Sequence, residues 1–105
     1  MSEVQNNGLQ YFVVIAEQKK KDKFISLLSD YGAHGIESVY AHGSVGKSAF
    51  AAAFGFQVEQ QKVLITGLIK KDNAEVLLKV LYEDYNFKKP NTGIAFSIAV
   101  EGLAF

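Results

Sequence analysis

The residues best equipped for chemistry lie in Ala41-His42-Gly43-Ser44-Val45-Gly46-Lys47-Ser48. A glycine-rich stretch ending in lysine and serine offers backbone amides, an ammonium and hydroxyls to a phosphate, and its spacing approaches that of a P-loop. The first glycine of that pattern is Ala41 here, and no apolar strand ends in the carboxylate needed to assist magnesium. The stretch is therefore read as a flexible anion-contacting loop, through Gly43, Ser44, Gly46, Lys47 and Ser48, and not as a hydrolase site. A second stretch, Lys88-Lys89-Pro90-Asn91-Thr92-Gly93, supplies two cations, an amide, a hydroxyl and a glycine. Lys88, Lys89, Asn91, Thr92 and Gly93 are the remaining candidate contacts for a small anion.

Other constellations are weaker. His34 and His42 are the two histidines, and there is no cysteine. A metal centre needs three or four ligands, so none is expected. No Ser-His-Asp order or paired-carboxylate motif stands out, and the chain is not expected to be an enzyme. Glu59 near Lys62, Glu83 with Asp84, and the run Lys19-Lys20-Lys21 with Lys23 read as solvated charge. Phe50, Phe54 and Phe56, with Ala51 to Ala53, make the middle of the glycine-rich segment unusually apolar for an exposed loop. They are candidate contacts for a partner protein, a neighbouring subunit or the core.

The elements that must position these groups follow from hydrophobic periodicity. Leu9 to Ala16 is continuously apolar and β-favouring, with Tyr11, Val13 and Ile15 on one side and Phe12 and Val14 on the other, as in a strand buried on both faces. Lys19 to Tyr31 carries Phe24, Ile25, Leu27, Leu28 and Tyr31 at helical spacing, and Gly32 suits a left-handed helix end. Ile36 to Tyr40 predicts a second strand, and Val58 to Ile69 a third. Asp72 with Glu75 predicts a capping box for a second helix, whose apolar stripe is Ala74, Leu77, Leu78 and Leu81 and whose end falls near Asp84 or Tyr85. Ile94 to Val100 alternates large and small residues as a last strand.

The order is βαββαβ: an α+β, ferredoxin-like fold with a four-stranded antiparallel sheet and two helices on one face. Residues 1–105 are read as a single domain, with 44–55 its flexible central loop. The other face has no cover from its own chain, and the small Ala95, Ser97 and Ala99 side of the last strand predicts close approach of another copy there.

Composition narrows the function. Eleven basic residues balance eleven acidic ones, so no positive field draws the chain to nucleic acid. No stretch is apolar for the roughly 20 residues of a membrane span, and the start of the chain lacks the apolar core of a signal peptide. The expectation is a cytoplasmic protein with no membrane insertion.

The element order, the Gly32-Ala33-His34-Gly35 turn, the long segment after Gly43 and the closing Asn91-Thr92-Gly93-Ile94-Ala95-Phe96-Ser97-Ile98-Ala99-Val100-Glu101 resemble the PII signalling family across roughly Gly8 to Glu101. The resemblance implies a homotrimer, an adenine nucleotide such as ATP or ADP in the clefts between subunits, and a central loop that contacts a target protein, either a transporter or an enzyme. By position, Gly43 matches the glycine at the base of that loop and Gly93 a glycine of the phosphate-cradling loop. The family's lysine after that glycine is Ile94 here, and its pair of C-terminal arginines is replaced by Gly102-Leu103-Ala104-Phe105. Loss of those cations removes charge-assisted hydrogen bonds to a triphosphate, which favours weak ATP binding or a smaller anion. The competing readings are an oligomeric interaction module without a ligand, and a CutA-like or ACT-like trimeric or small-molecule-binding protein.

Overall fold

The computed structural model describes residues 8–41, 61–90 and 92–102. The chain runs β1 (Leu9–Glu17), a 3-10 turn (Gln18–Lys20), α1 (Lys21–Asp30), β2 (His34–Ala41), β3 (Lys62–Lys70), α2 (Lys71–Asp84) and β4 (Ile94–Ala99). The four strands form one sheet in the order β2-β3-β1-β4, every neighbouring pair antiparallel. This is the expected ferredoxin-like βαββαβ arrangement, with β1 and β3 at its centre. Both central strands are nearly continuous in apolar residues because each has neighbours on both sides.

The core lies between the sheet and the helices. Phe12, Val14 and Ala16 of β1 meet Val63, Ile65 and Ile69 of β3, and above them sit Phe24 and Leu28 of α1 and Ala74, Leu77 and Leu81 of α2. Each helix contributes residues three or four positions apart, so a single stripe is buried and the opposite side stays polar. Truncating Leu77 or Leu81, both fully buried, removes transfer energy and leaves a cavity, at a cost of about 2–5 kcal/mol.

Helix α1 ends as the sequence predicts. Gly32 has φ 87°, the amide of Ala33 reaches the Leu28 carbonyl at 3.0 Å, and that of Gly32 reaches the Ser29 carbonyl at 3.0 Å. This pair of bonds is the Schellman motif, and the left-handed residue between them is where glycine is cheapest. The start of α2 differs from expectation. The helix begins at Lys71 directly after β3, its N-cap Lys70 makes no side-chain capping bond, and the Lys71 amide donates to the Gly8 carbonyl at 2.6 Å. Asp72 therefore lies inside the first turn, where its carboxylate favours the positive helix end, and there is no Asp72–Glu75 capping box.

The registers correct one further expectation. Val14 faces Ala95 and Phe12 faces Ser97, so the small side of β4 turns toward the helices. The opposite face carries Ile94, Phe96 and Ile98 beside Ile15, Val13 and Tyr11, with Leu64, Thr66 and Leu68 on β3. An approaching second copy thus meets large apolar side chains, and not the Ala95, Ser97 and Ala99 row. The helix-free face is apolar as predicted: Leu68, Tyr11 and Ile98 form an exposed row across three strands, and Val39 on β2 is 60% exposed.

Candidate functional site

The end of the sheet at which β2 stops and β3 starts gathers the charged groups of interest. Ala41 pairs with Lys62, so the segment 42–61 leaves and returns at adjacent points. Glu17, the last residue of β1, lies directly across from Lys62. Gln18 ties this corner together: its amide donates to the Gln61 carbonyl and its Nε2 to the Lys62 carbonyl, both at 3.3 Å. The Glu17 carboxylate also lies 3.9 Å from both Lys19 Nζ and Lys20 Nζ.

Lys62 is the feature that sequence reading missed. It is not solvated charge beside Glu59: the residue is 5% exposed, held by its strand pairing on the face where Val13 and Ile15 are also shielded. Burial pushes its ammonium below the ordinary lysine pKa, and the charge of Glu17 opposes that shift only in part. The signal available in the sequence was its alignment with Leu64 and Thr66 on the period-2 pattern of a central strand. A shielded ammonium at a strand end is a strong electrostatic partner for an anion, because little water competes for it.

At the neighbouring corner Lys21 lies over the ring of Tyr40, 5.2 Å from its centroid. A hydrogen bond with Tyr40, followed by the charge of its phenolate form, raises the Lys21 pKa. The start of α1 thereby grips β2 one residue before its end.

The second group of predicted residues lies at the same end of the sheet, beyond β1. Ile94 pairs with Ile15, two positions before Glu17, so Thr92 and Gly93 lead into β4 near the level of Lys62. With β1 between β3 and β4, two strand spacings separate them, about 10 Å. Lys88 and Lys89 are exposed, and Lys88 Nζ is drawn to Glu83 Oε1 of α2 at 3.2 Å. Asn86, with φ 62°, terminates α2, and the amides of Phe87 and Lys88 reach back to the Leu81 and Tyr82 carbonyls. Gly93 rests on the ring of Phe87, which in turn packs edge-on against Phe24 with centroids 5.5 Å apart. Packing is therefore one reason for a glycine there.

Gly43, Ser44, Gly46, Lys47, Ser48, Phe50, Phe54, Phe56 and Asn91 lie outside the described residues, as does the expected loop 44–55. Among the described residues no group of three His, Cys, Asp or Glu side chains could hold a metal ion. No helix among them is long and apolar enough to cross a membrane.

No family model matches the sequence, and no curated protein matches it either. Solved structures do. The apo form of CPII from Thiomonas intermedia K12, a nitrogen regulatory PII-like protein, is 14% identical with a TM-score of 0.69 and alignment over 97% of this chain and 98% of that one. CPII bound to ADP, AMP and bicarbonate gives 16% identity and a TM-score of 0.57 over 92% of this chain and 93% of that one. Arabidopsis thaliana PII bound to citrate gives 18% identity and a TM-score of 0.59, over 92% and 79%. Sequence order, sheet order and near-complete coverage agree, and the chain has the ferredoxin-like fold of the PII-like proteins.

Proposed function

We propose that this chain is a PII-like regulatory protein, working by ligand-dependent binding and not by catalysis. It assembles as a trimer through its helix-free sheet face and takes a small anion at the sheet end that carries Lys62. The observation that carries this reading is the shielded Lys62 ammonium at the root of the 42–61 segment, on a sheet whose uncovered face is apolar. Within one chain, β1 separates Lys62 from the Thr92–Gly93 turn. A ligand spanning both groups fits a junction where the turn of a neighbouring subunit approaches the Lys62 corner.

The neighbours support the ligand class. CPII structures hold ADP, AMP and bicarbonate, and the Arabidopsis PII structure holds citrate. In this chain Ile94 stands where the family resemblance implies a lysine, so a nucleoside monophosphate, a nucleoside diphosphate or a small carboxylate is favoured over ATP. Binding at the root of the 42–61 segment would alter that segment's presentation to a target protein, with Phe50, Phe54 and Phe56 as the contacts.

Isothermal titration of the purified protein with ATP, ADP, AMP, bicarbonate and citrate tests this reading. A ligand that binds wild type and is weakened at least about tenfold by Lys62→Met supports it. Absence of binding by all five at millimolar concentration, or affinity indifferent to that substitution, overturns the site.

A further inference from the structure

β4 is an edge strand. It pairs with β1 on one side, and no other strand of the described residues adjoins the far side. Edges of this kind are usually protected by a charge, a proline or a bulge. Ile94–Ala99 reads Ile-Ala-Phe-Ser-Ile-Ala and contains none of these residues, nor a register shift against β1. The other edge, β2, has an irregular register between His34 and Glu37 and carries that glutamate.

Beside the unprotected edge lies a groove. Because the helix-facing side of β4 consists of Ala95, Ser97 and Ala99, α2 overhangs the strand without filling the space next to it. The resulting cavity is about 520 Å³ and is bounded by Leu78, Lys79 and Tyr82 of α2, by Phe87, and by Gly93 and Ala95. Its walls are apolar, and Tyr82 is 54% exposed at its rim. Lys79, also exposed, makes no ion pair among the described residues and is the groove's one cation.

We infer that the β4 edge and this groove form a docking site for an extended peptide segment of a partner protein, which adds as a fifth strand. Its main chain completes the ladder on β4. Alternate side chains, aliphatic or aromatic, enter the groove below α2, and a carboxylate on the segment pairs with Lys79. Strand addition gives affinity through backbone bonds, and specificity comes from pockets for every second side chain. The page favours such a segment over a second copy of β4. An antiparallel β4–β4 pairing with helices on one side would present another Ala95, Ser97 and Ala99 row to the groove and leave it unfilled. This site is separate from the Lys62 corner, so the two readings stand or fall independently.

The test uses fluorescein-labelled eight-residue peptides with valine at alternate positions and a single central glutamate, compared with the same peptide carrying lysine there and with a version N-methylated at alternate amides. Anisotropy titration should show binding of the glutamate peptide, loss on N-methylation, and at least about tenfold weakening by Lys79→Glu together with improved binding of the lysine peptide. Amide hydrogen exchange should slow in β4 when the glutamate peptide is added. Lys79 and Tyr82 are exposed, so Lys79→Glu and Tyr82→Ala keep the fold, which circular dichroism verifies. The inference is overturned if binding is absent at millimolar peptide, if Lys79→Glu changes nothing, or if slowed exchange maps to β2 instead. It is overturned equally if deletion of residues 103–105 or dilution to monomer frees a β4 that is already protected, since the occupant would then be this chain's own tail or a second copy.

Discussion

Gly93 lies so close to Phe87 that a Cβ added to it would stand 2.5 Å from the ring Cζ and 2.7 Å from both Cε atoms. Phe87 cannot simply swing away, because it is wedged against Phe24, which is 2% exposed and also meets Tyr85 at 5.6 Å. Gly93→Ala is thus an overpacking change, expected to cost about 1–3 kcal/mol in chemical denaturation. Adding Phe87→Leu to that variant should recover part of the loss. A Gly93→Ala protein as stable as wild type would show that the ring contact does not constrain the turn.

The helix-free face makes its own demand. Leu68, Tyr11 and Ile98 cross three strands in one exposed row, and burying them needs another chain. Light scattering at micromolar concentration is expected to give the mass of a trimer. The pair Leu68→Asp and Ile98→Asp, introduced together, should yield monomer with native-like circular dichroism. A monomeric wild-type mass would remove this assembly.

Lys62 leads to a pH dependence whose sign is fixed. Its folded-state pKa is lowered by burial, so the unfolded chain holds the proton to higher pH, near the usual value of about 10.4. Between the lowered value and the usual one the unfolded state binds more protons, and stability attributable to Lys62 rises with pH. At neutral pH the buried charge is a net cost, so Lys62→Met should raise stability by about 1 kcal/mol there. The gap between variant and wild type should then close as pH climbs into that window. A gap that widens with pH would contradict the burial argument.

Lys88 and Lys89 separate folding from ligand binding. Both are exposed, and the Lys88–Glu83 pair is solvated, worth no more than about 1 kcal/mol. Replacing both with alanine should leave the thermal midpoint nearly unchanged. If they contact the anion, the same variant should weaken it several-fold in calorimetry; unchanged affinity would confine the site to the Lys62 corner.

How much of this was legible in the sequence differs by element. The doubly apolar run of β1, the stripe Ala74, Leu77 and Leu81, and the glycine that ends α1 were readable because one local pattern determines each. The start of α2 was misread because Asp72 looks like a cap in isolation, whereas the carbonyl that meets the first amide belongs to Gly8, far away in the chain. The alternation in β4 was visible, but which side faces the helices depends on its register with Val14 and Val13, which no local signal carries. Lys62 was hidden for the same reason: its burial comes from the strand opposite it.

The placement of β1 also bears on synthesis. Its two partners, β3 and β4, both lie later in the chain, and even the nearest rung of the sheet, Ala41 with Lys62, must wait for the whole 42–61 segment to be made. A growing chain therefore exposes the Tyr11–Ala16 run, apolar on both sides, until β3 has left the ribosome. Such a strand is prone to wrong pairing with its neighbours on a polysome, so yield of this protein in cells should respond to translation speed and holdase chaperones more than its native stability would suggest.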